Sequence, residues 1–296
     1  MATKDTEVAP PTSARLGDKP VRRVGFGAMQ LAGPGVFGPP LDRASAIQVL
    51  RRAVELGVDH IDTSQYYGPN VVNELIREAL YPYPKHLRLV TKVGARRDAR
   101  GAWLPAQRPA ELRRGVEENL RTLDVERLDL VNLRELDDEA ERNVPLADRL
   151  GALEDMRREG KLDLIGISNV ERAEAETAFE LVAIAGIQNA YSIFDRSSED
   201  VLDLCRERDV AFVPFFPLGS AFGGGPARLA GDAAIAGVAA KHGLTPSQIA
   251  LAWLLHRDTR VLLIPGTSSV AHLEENVAAG AVELDAEDLA TLDGSQ

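Results

Sequence analysis

The sequence predicts an α/β fold, a parallel (β/α)8 barrel in a single domain, and three features point to it. Short apolar runs of strand length alternate with helical patterns along the chain. Glycines or capping residues stand where those helices should start and stop. No Gly-x-Gly-x-x-Gly turn supports the competing doubly wound sheet.

Taken in order, residues 1–14 are rich in Pro, Thr, Ser and charge without apolar periodicity and are expected to form a disordered leader, with the barrel over 15–296. Val24 to Met29 reads as the first strand, whose Gly25 and Gly27 let neighbouring backbone approach. After the loop Gly33 to Pro40, Asp42 caps a helix carrying Ile47, Leu50 and Val54 at helical spacing, and Gly57 stands where a left-handed cap belongs. Strand Val58 to Asp62 follows. Helix Val71 to Leu80 leads to strand Leu87 to Val93, and helix Ala110 to Thr122 to strand Leu128 to Leu133. Helix Leu146 to Glu159, closed by Gly160, leads to Leu164 to Ser168. Further strands are Ala185 to Asn189, Ala211 to Pro214 and Val261 to Ile264, the last after a helix Pro246 to His256 whose Thr245 and Gln248 are spaced as a capping box. Eight strands in 296 residues suit the barrel.

Composition narrows the function. A hydrophobic fraction of 45% and a charged fraction of 27% describe a soluble globular chain with ample core. The net charge of −11 and the absence of a Lys/Arg block argue against nucleic-acid binding. No apolar stretch is long enough for a membrane span, and no secretory signal is apparent. The single cysteine, Cys205, lies on a helical pattern, excludes an internal disulfide and suits the cytoplasm. It reads as a buried structural thiol. The five histidines are scattered without a close ligand pair, so no metal site is expected, and no Gly-x-Ser-x-Gly elbow presents a nucleophile.

In such a barrel, chemistry collects at the C-terminal strand ends. Those ends carry Met29 and Gln30, Asp62, Lys92, Arg134, Ser168 and Asn169, Gln188 and Asn189, Phe215, and Gly266 with Thr267. Any one of these polar groups alone is more often structural; together they favour a site.

These residues resemble the aldo-keto reductases, in order and over nearly the whole chain from about Leu16. Asp62-x-x-x-x-Tyr67-Gly68 is similar to that family's Asp and Tyr, and Thr91-Lys92 to its Lys. Gly166-Ile167-Ser168-Asn169 and Gln188-Asn189 resemble its nicotinamide-amide site. Phe215-Phe216-Pro217-Leu218-Gly219-Ser220 resembles the segment whose first aromatic stacks on the nicotinamide. Ile264-Pro265-Gly266-Thr267-Ser268-Ser269 through Leu273-Glu274-Glu275-Asn276, with His272 between, resembles the loop and helix that hold the adenosine phosphate. Gly27 to Gly35, Val131 to Arg134 and Phe215 to Leu218 are similar to the pyridoxal-reducing branch of bacteria.

The resemblance implies reduction of a small-molecule aldehyde or ketone, including pyridoxal, by hydride from NADPH. Tyr67 would be the general acid, Lys92 would lower its pKa, and Asp62 would orient Lys92. Tyr66 is the decoy, expected to pack against the loop. NADP(H) is the implied cofactor, held by Ser168, Asn169, Gln188, Phe215, Leu218, Ser220, Gly266, Thr267, Ser268, His272, Glu275 and Asn276, with Met29 and Gln30 facing the substrate. Two positions depart from the family pattern. Arg134 replaces the usual His, where it either stabilises developing oxyanion or pairs structurally with Glu135 or another carboxylate. The phosphate loop has Gly266 and His272 where many relatives carry Lys and Arg, leaving amides, the Thr267 and Ser268 hydroxyls and a helix start at Ser269. A relative that keeps the cofactor as a redox sensor with little turnover is the alternative.

Overall fold

A computed structural model describes residues 13–136, 144–219 and 225–294. The chain opens with a hairpin, β1 (Ser13–Leu16) and β2 (Lys19–Arg22). The barrel elements follow as β3 (Phe26–Gly27), α1 (Arg43–Glu55), β4 (His60–Asp62), α2 (Val71–Leu80), β5 (Arg88–Arg97), β6 (Trp103–Ala106), α3 (Pro109–Leu123), β7 (Leu128–Arg134), α4 (Leu146–Arg158) and β8 (Leu162–Ser168). Then come α5 (Arg172–Leu181), β9 (Ile184–Gln188), α6 (Glu199–Arg208), β10 (Ala211–Phe212), α7 (Gly225–Gly231), α8 (Ala233–His242), α9 (Pro246–Arg257), α10 (Val270–Ala278) and α11 (Ala286–Asp293).

The sheet runs β3-β4-β5-β7-β8-β9-β10, all parallel. Parallel bridges from Phe212 to Val261 and from Leu263 to Val24 put residues 261–264 between the two ends and close it into a (β/α)8 barrel. Closure leaves the parallel barrel strands without a free edge among the described residues. At the seam, a Cβ on Gly27 would stand 2.3 Å from the Ile264 carbonyl oxygen, which is why that position takes no side chain.

Local chemistry accounts for the helix ends. Asp42 accepts the Ser45 amide at 3.0 Å to start α1, and Thr245 with Gln248 forms a capping box on α9. Gly57 and Gly160 adopt φ of +87° and +81° beyond α1 and α4. Cys205 is buried on α6, and burial pushes its thiol up, as suits a packed residue. No helix among the described residues is long and apolar enough to cross a membrane.

Four expectations change. Ser13 and Ala14 belong to β1, because the hairpin packs Leu16 and Val21 against Val90, Leu130, Ala185, Ala211 and Leu262 at the barrel floor; residues 1–12 lie outside the described residues. The first strand is only Phe26–Gly27, and Met29 and Gln30 lie on a 3-10 turn, Ala28–Leu31. The third barrel strand runs past Val93 to Arg97 to pair antiparallel with β6. Helices α5, α7, α8 and α11 were not anticipated by the sequence pattern.

Candidate active site

Asp62 ends β4 and Lys92 lies in β5, beside it in the sheet. Both are almost fully buried, and the Lys92 ammonium donates to Asp62 Oδ1 and to the Thr63 carbonyl at 3.3 Å. The other Asp62 oxygen accepts Gln188 Nε2 at 3.0 Å from across the barrel. Both carboxylate oxygens are thus engaged. The arrangement orients the Gln188 amide, leaving Oε1 as a buried acceptor with no partner among the described residues.

Tyr67 stands on the loop after β4, where its amide bonds to the Ser64 carbonyl at 3.1 Å. Its ring lies 5.1 Å from Lys92 Nζ and packs edge-on against Tyr66, at 5.3 Å and 86°. Tyr66 is itself edge-on to Trp103 of β6, at 5.5 Å. The two phenols sit in different charge environments. Burial first, then the Asp62 charge, pushes the Tyr67 pKa well above the ordinary phenol value, and the cation that opposes them is Arg134. Burial also holds the Tyr66 pKa high, and the Lys92 and Arg134 charges both ease it.

Arg134, the last residue of β7, donates to Ser168 Oγ at 3.0 Å, with its guanidinium 4.6 Å from the Phe215 ring centroid. The suggested pairing with Glu135 does not form. Glu135 is bonded to Arg149 of α4, while Gln107 accepts from Arg149 and donates to the Arg134 carbonyl at 2.9 Å. Burial outweighs Arg149 and holds the Glu135 carboxyl at about 7.

Asn169 follows Ser168 in the left-handed region, at φ +63°, with its amide bonded to Asn189 Oδ1 at 2.9 Å. Phe215 bonds through its amide to the Asn189 carbonyl at 2.9 Å, and Phe216 after it has φ +56°. These positive φ values fall past β8 and β10, on either side of β9, and at the bulky Phe216 the left-handed backbone marks strain beside a site. Leu218 lies half-buried in the same loop; Ser220 lies outside the described residues.

Beyond Gly266, Thr267 Oγ1 accepts the Ser269 amide at 3.0 Å and Ser269 Oγ accepts the His272 amide at 3.4 Å, starting α10. Each hydroxyl therefore keeps its hydrogen to donate. Ser268 is exposed between them. His272 is exposed, Glu275 is within 3.5 Å of the Thr245 hydroxyl, and Asn276 is buried. Among the described residues, no hydrogen bond joins these three, or Met29 and Gln30, to the Asp62 cluster. Met29 is half-buried and Gln30 exposed beside Gly266.

Sequence reasoning missed what lies behind the cluster. Trp103 was overlooked, although Asp98 to Gly101 is a turn signal between β5 and β6. It also missed Asn119, a buried polar residue on the stripe Leu112, Val116, Asn119, Leu123 of α3. A polar residue on an apolar stripe is the signal that should have been followed.

Comparison with known proteins relates nearly the whole chain to one family. The family model described as the aldo/keto reductase family matches residues 23–296. Pyridoxine 4-dehydrogenase of Escherichia coli (strain K12) is 50% identical over 281 residues, 94% of this chain and 96% of that protein. A thermostable aldo-keto reductase solved with the inhibitor epalrestat superposes with a TM-score of 0.79 at 29% identity, covering 95% of this chain and 98% of that one. An aldo/keto reductase from Klebsiella pneumoniae, solved with NADP and acetate, does so at 0.76 and 26%, covering 97% and 95%.

Proposed function

The chain belongs to the aldo/keto reductase family, and from that membership we propose that it reduces an aldehyde or ketone to the alcohol at the expense of NADPH, with pyridoxal as a substrate. The observation that carries the reading is the buried Asp62–Lys92 pair against the Tyr67 ring, bonded across the barrel to Gln188.

NADPH, when bound, supplies hydride to the carbonyl carbon. The residues present fit it. The unpartnered Gln188 Oε1 is an acceptor for an amide N–H, such as a carboxamide offers. Ser168 Oγ accepts from Arg134 and keeps a hydrogen to donate. Asn169, Phe215 and Leu218 stand at the neighbouring strand ends, and we also assign Ser220 to this group. At the other end, the Thr267 and Ser268 hydroxyls and the start of α10 suit a phosphate. Gly266, His272, Glu275 and Asn276 complete the set.

Tyr67 holds the proton. A phenol kept above its ordinary pKa stays protonated throughout physiological pH, the form a general acid needs when negative charge develops on the substrate oxygen. Lys92 anchors Asp62 and lies against the Tyr67 ring, and Arg134 adds positive charge where the oxyanion forms. Met29 and Gln30 flank the substrate entrance. The single buried Cys205 accords with work in the cytoplasm. Following NADPH oxidation over pyridoxal, aromatic aldehydes, methylglyoxal and simple ketones tests this; turnover on carbonyls with pyridoxal among the best is expected, and none on any carbonyl would refute it.

A further inference from the structure

Behind the Asp62 cluster lies a fully connected set of buried polar side chains with Asn119 of α3 at its centre. Asn119 Oδ1 accepts Thr91 Oγ1 at 2.7 Å and Asn73 Nδ2 at 2.9 Å. Its Nδ2 donates to Gln65 Oε1 at 2.8 Å and to the Gly115 carbonyl at 2.9 Å, with the Lys92 carbonyl at 3.5 Å. Asn73 in turn accepts the Thr63 hydroxyl at 2.8 Å. One amide therefore reaches the segments that carry the chemistry through both its donor and its acceptor: directly at Gln65 and Thr91, and by way of Asn73 at Thr63. Thr63 follows Asp62, Gln65 precedes the tyrosine pair, and Thr91 precedes Lys92. Asn119, Thr91, Asn73 and Thr63 are each completely buried.

We propose that Asn119 is a positioning residue that fixes the Asp62, Tyr67 and Lys92 segments relative to one another. A buried, mutually hydrogen-bonded network selects a single arrangement, since a shift leaves a donor or acceptor unpaired away from water. Ordinary apolar packing would stabilise α3 equally well without specifying where three separate loop and strand segments stand. The proposal rests on the reading of Tyr67 as proton donor, because misplacement by about 1 Å matters to a proton transfer and can cost about 10²-fold in rate.

The test pairs Thr91→Val, which removes the hydroxyl at nearly constant volume, with Thr91→Ser, which keeps it, and adds Asn119→Leu. Amide hydrogen exchange by mass spectrometry and steady-state kinetics with pyridoxal are read on each. Expected are faster exchange of residues 61–68 and 91–93 together in Thr91→Val and Asn119→Leu, and kcat lower by about tenfold or more with the KM for NADPH within about twofold. Thr91→Ser should restore both. Unchanged exchange in either segment, intact kcat, or Thr91→Ser as impaired as Thr91→Val would overturn the proposal. If Asn119→Leu does not fold, the Thr91 pair decides alone. A wild-type protein that turns over no carbonyl would refute the proposed function, while the exchange measurements would still decide the positioning role.

Discussion

Tyr66 and Tyr67 sit edge to face, both buried and both with raised pKa values, so titration alone does not separate them. Their neighbours do. Tyr67 lies over Lys92 and feels Asp62, whereas Tyr66 leans on Trp103. Tyr67→Phe is therefore expected to lower kcat by about 10²–10⁴-fold, the usual worth of a general acid, with NADPH affinity by fluorescence quenching nearly unchanged. Tyr66→Phe should be mild; the reverse pattern would assign the proton to Tyr66. Arg134 is the cation that opposes the rise of the Tyr67 pKa, so removing it raises that pKa further. In the reductive direction the rate falls only as the phenol ionises, and Arg134→Met should move that alkaline limb upward. It should also lower kcat/KM more for pyridoxal, with its acidic ring hydroxyl, than for a plain aromatic aldehyde. Equal losses with an unmoved limb would leave Arg134 a merely structural residue.

Among the elements, α10 and the loop before it decide how a phosphate would be met. Thr267 and Ser269 accept backbone amides while keeping hydroxyl hydrogens to donate, and Gly266 and His272 bring no fixed cation. Neutral hydrogen bonds are about half as strong as charge-assisted ones, so NADPH should bind more tightly than NADH by only a modest margin. Titrating the two cofactors side by side checks this, and equal affinities would count against the loop as the phosphate site. Helix α9 illustrates a purely structural cap: Thr245→Ala should cost about 1 kcal/mol in chemical denaturation.

For the whole molecule, the β1–β2 hairpin seals the floor of the barrel. Leu16 is buried among Val90, Leu130 and Leu262, and Lys19 bridges Asp129 and Asp163 at 3.1 and 2.6 Å. Leu16→Ala should lower stability by about 2–5 kcal/mol, the range for an emptied core position, while kcat of the folded fraction holds. Glu135 gives stability a pH slope. Its carboxyl ionises near 4.5 when unfolded but at about 7 when folded, so the folded state holds the extra proton in between. Stability contributed by this group is present below about 4.5 and is lost as pH rises through about 7. Glu135→Gln should remove that decline from denaturation curves taken between pH 5 and 8; an unchanged slope would show that Arg149 keeps the carboxylate charged.

The alternation of apolar runs and helical patterns determined the barrel, because eight strands and their helices each need one buried face, and that need is written in residue periodicity. Asp62, Lys92, Gln188 and Ser168 were equally legible, since strand ends in a barrel converge whatever the intervening loops do. Asp42 and Thr245 were legible too, because a cap bonds amides only a few residues away. Only tertiary structure decided which charges act on which phenol: Arg134 eases both Tyr66 and Tyr67 and Lys92 eases Tyr66, a matter of distances across loops that spacing does not encode. It also decided that Glu135, just past the end of β7, pairs with Arg149 of α4 and not with its neighbour Arg134. The hairpin floor and the Asn119 network were hidden for the same reason: each joins residues far apart in the chain, whose mutual burial exists only once the barrel has closed.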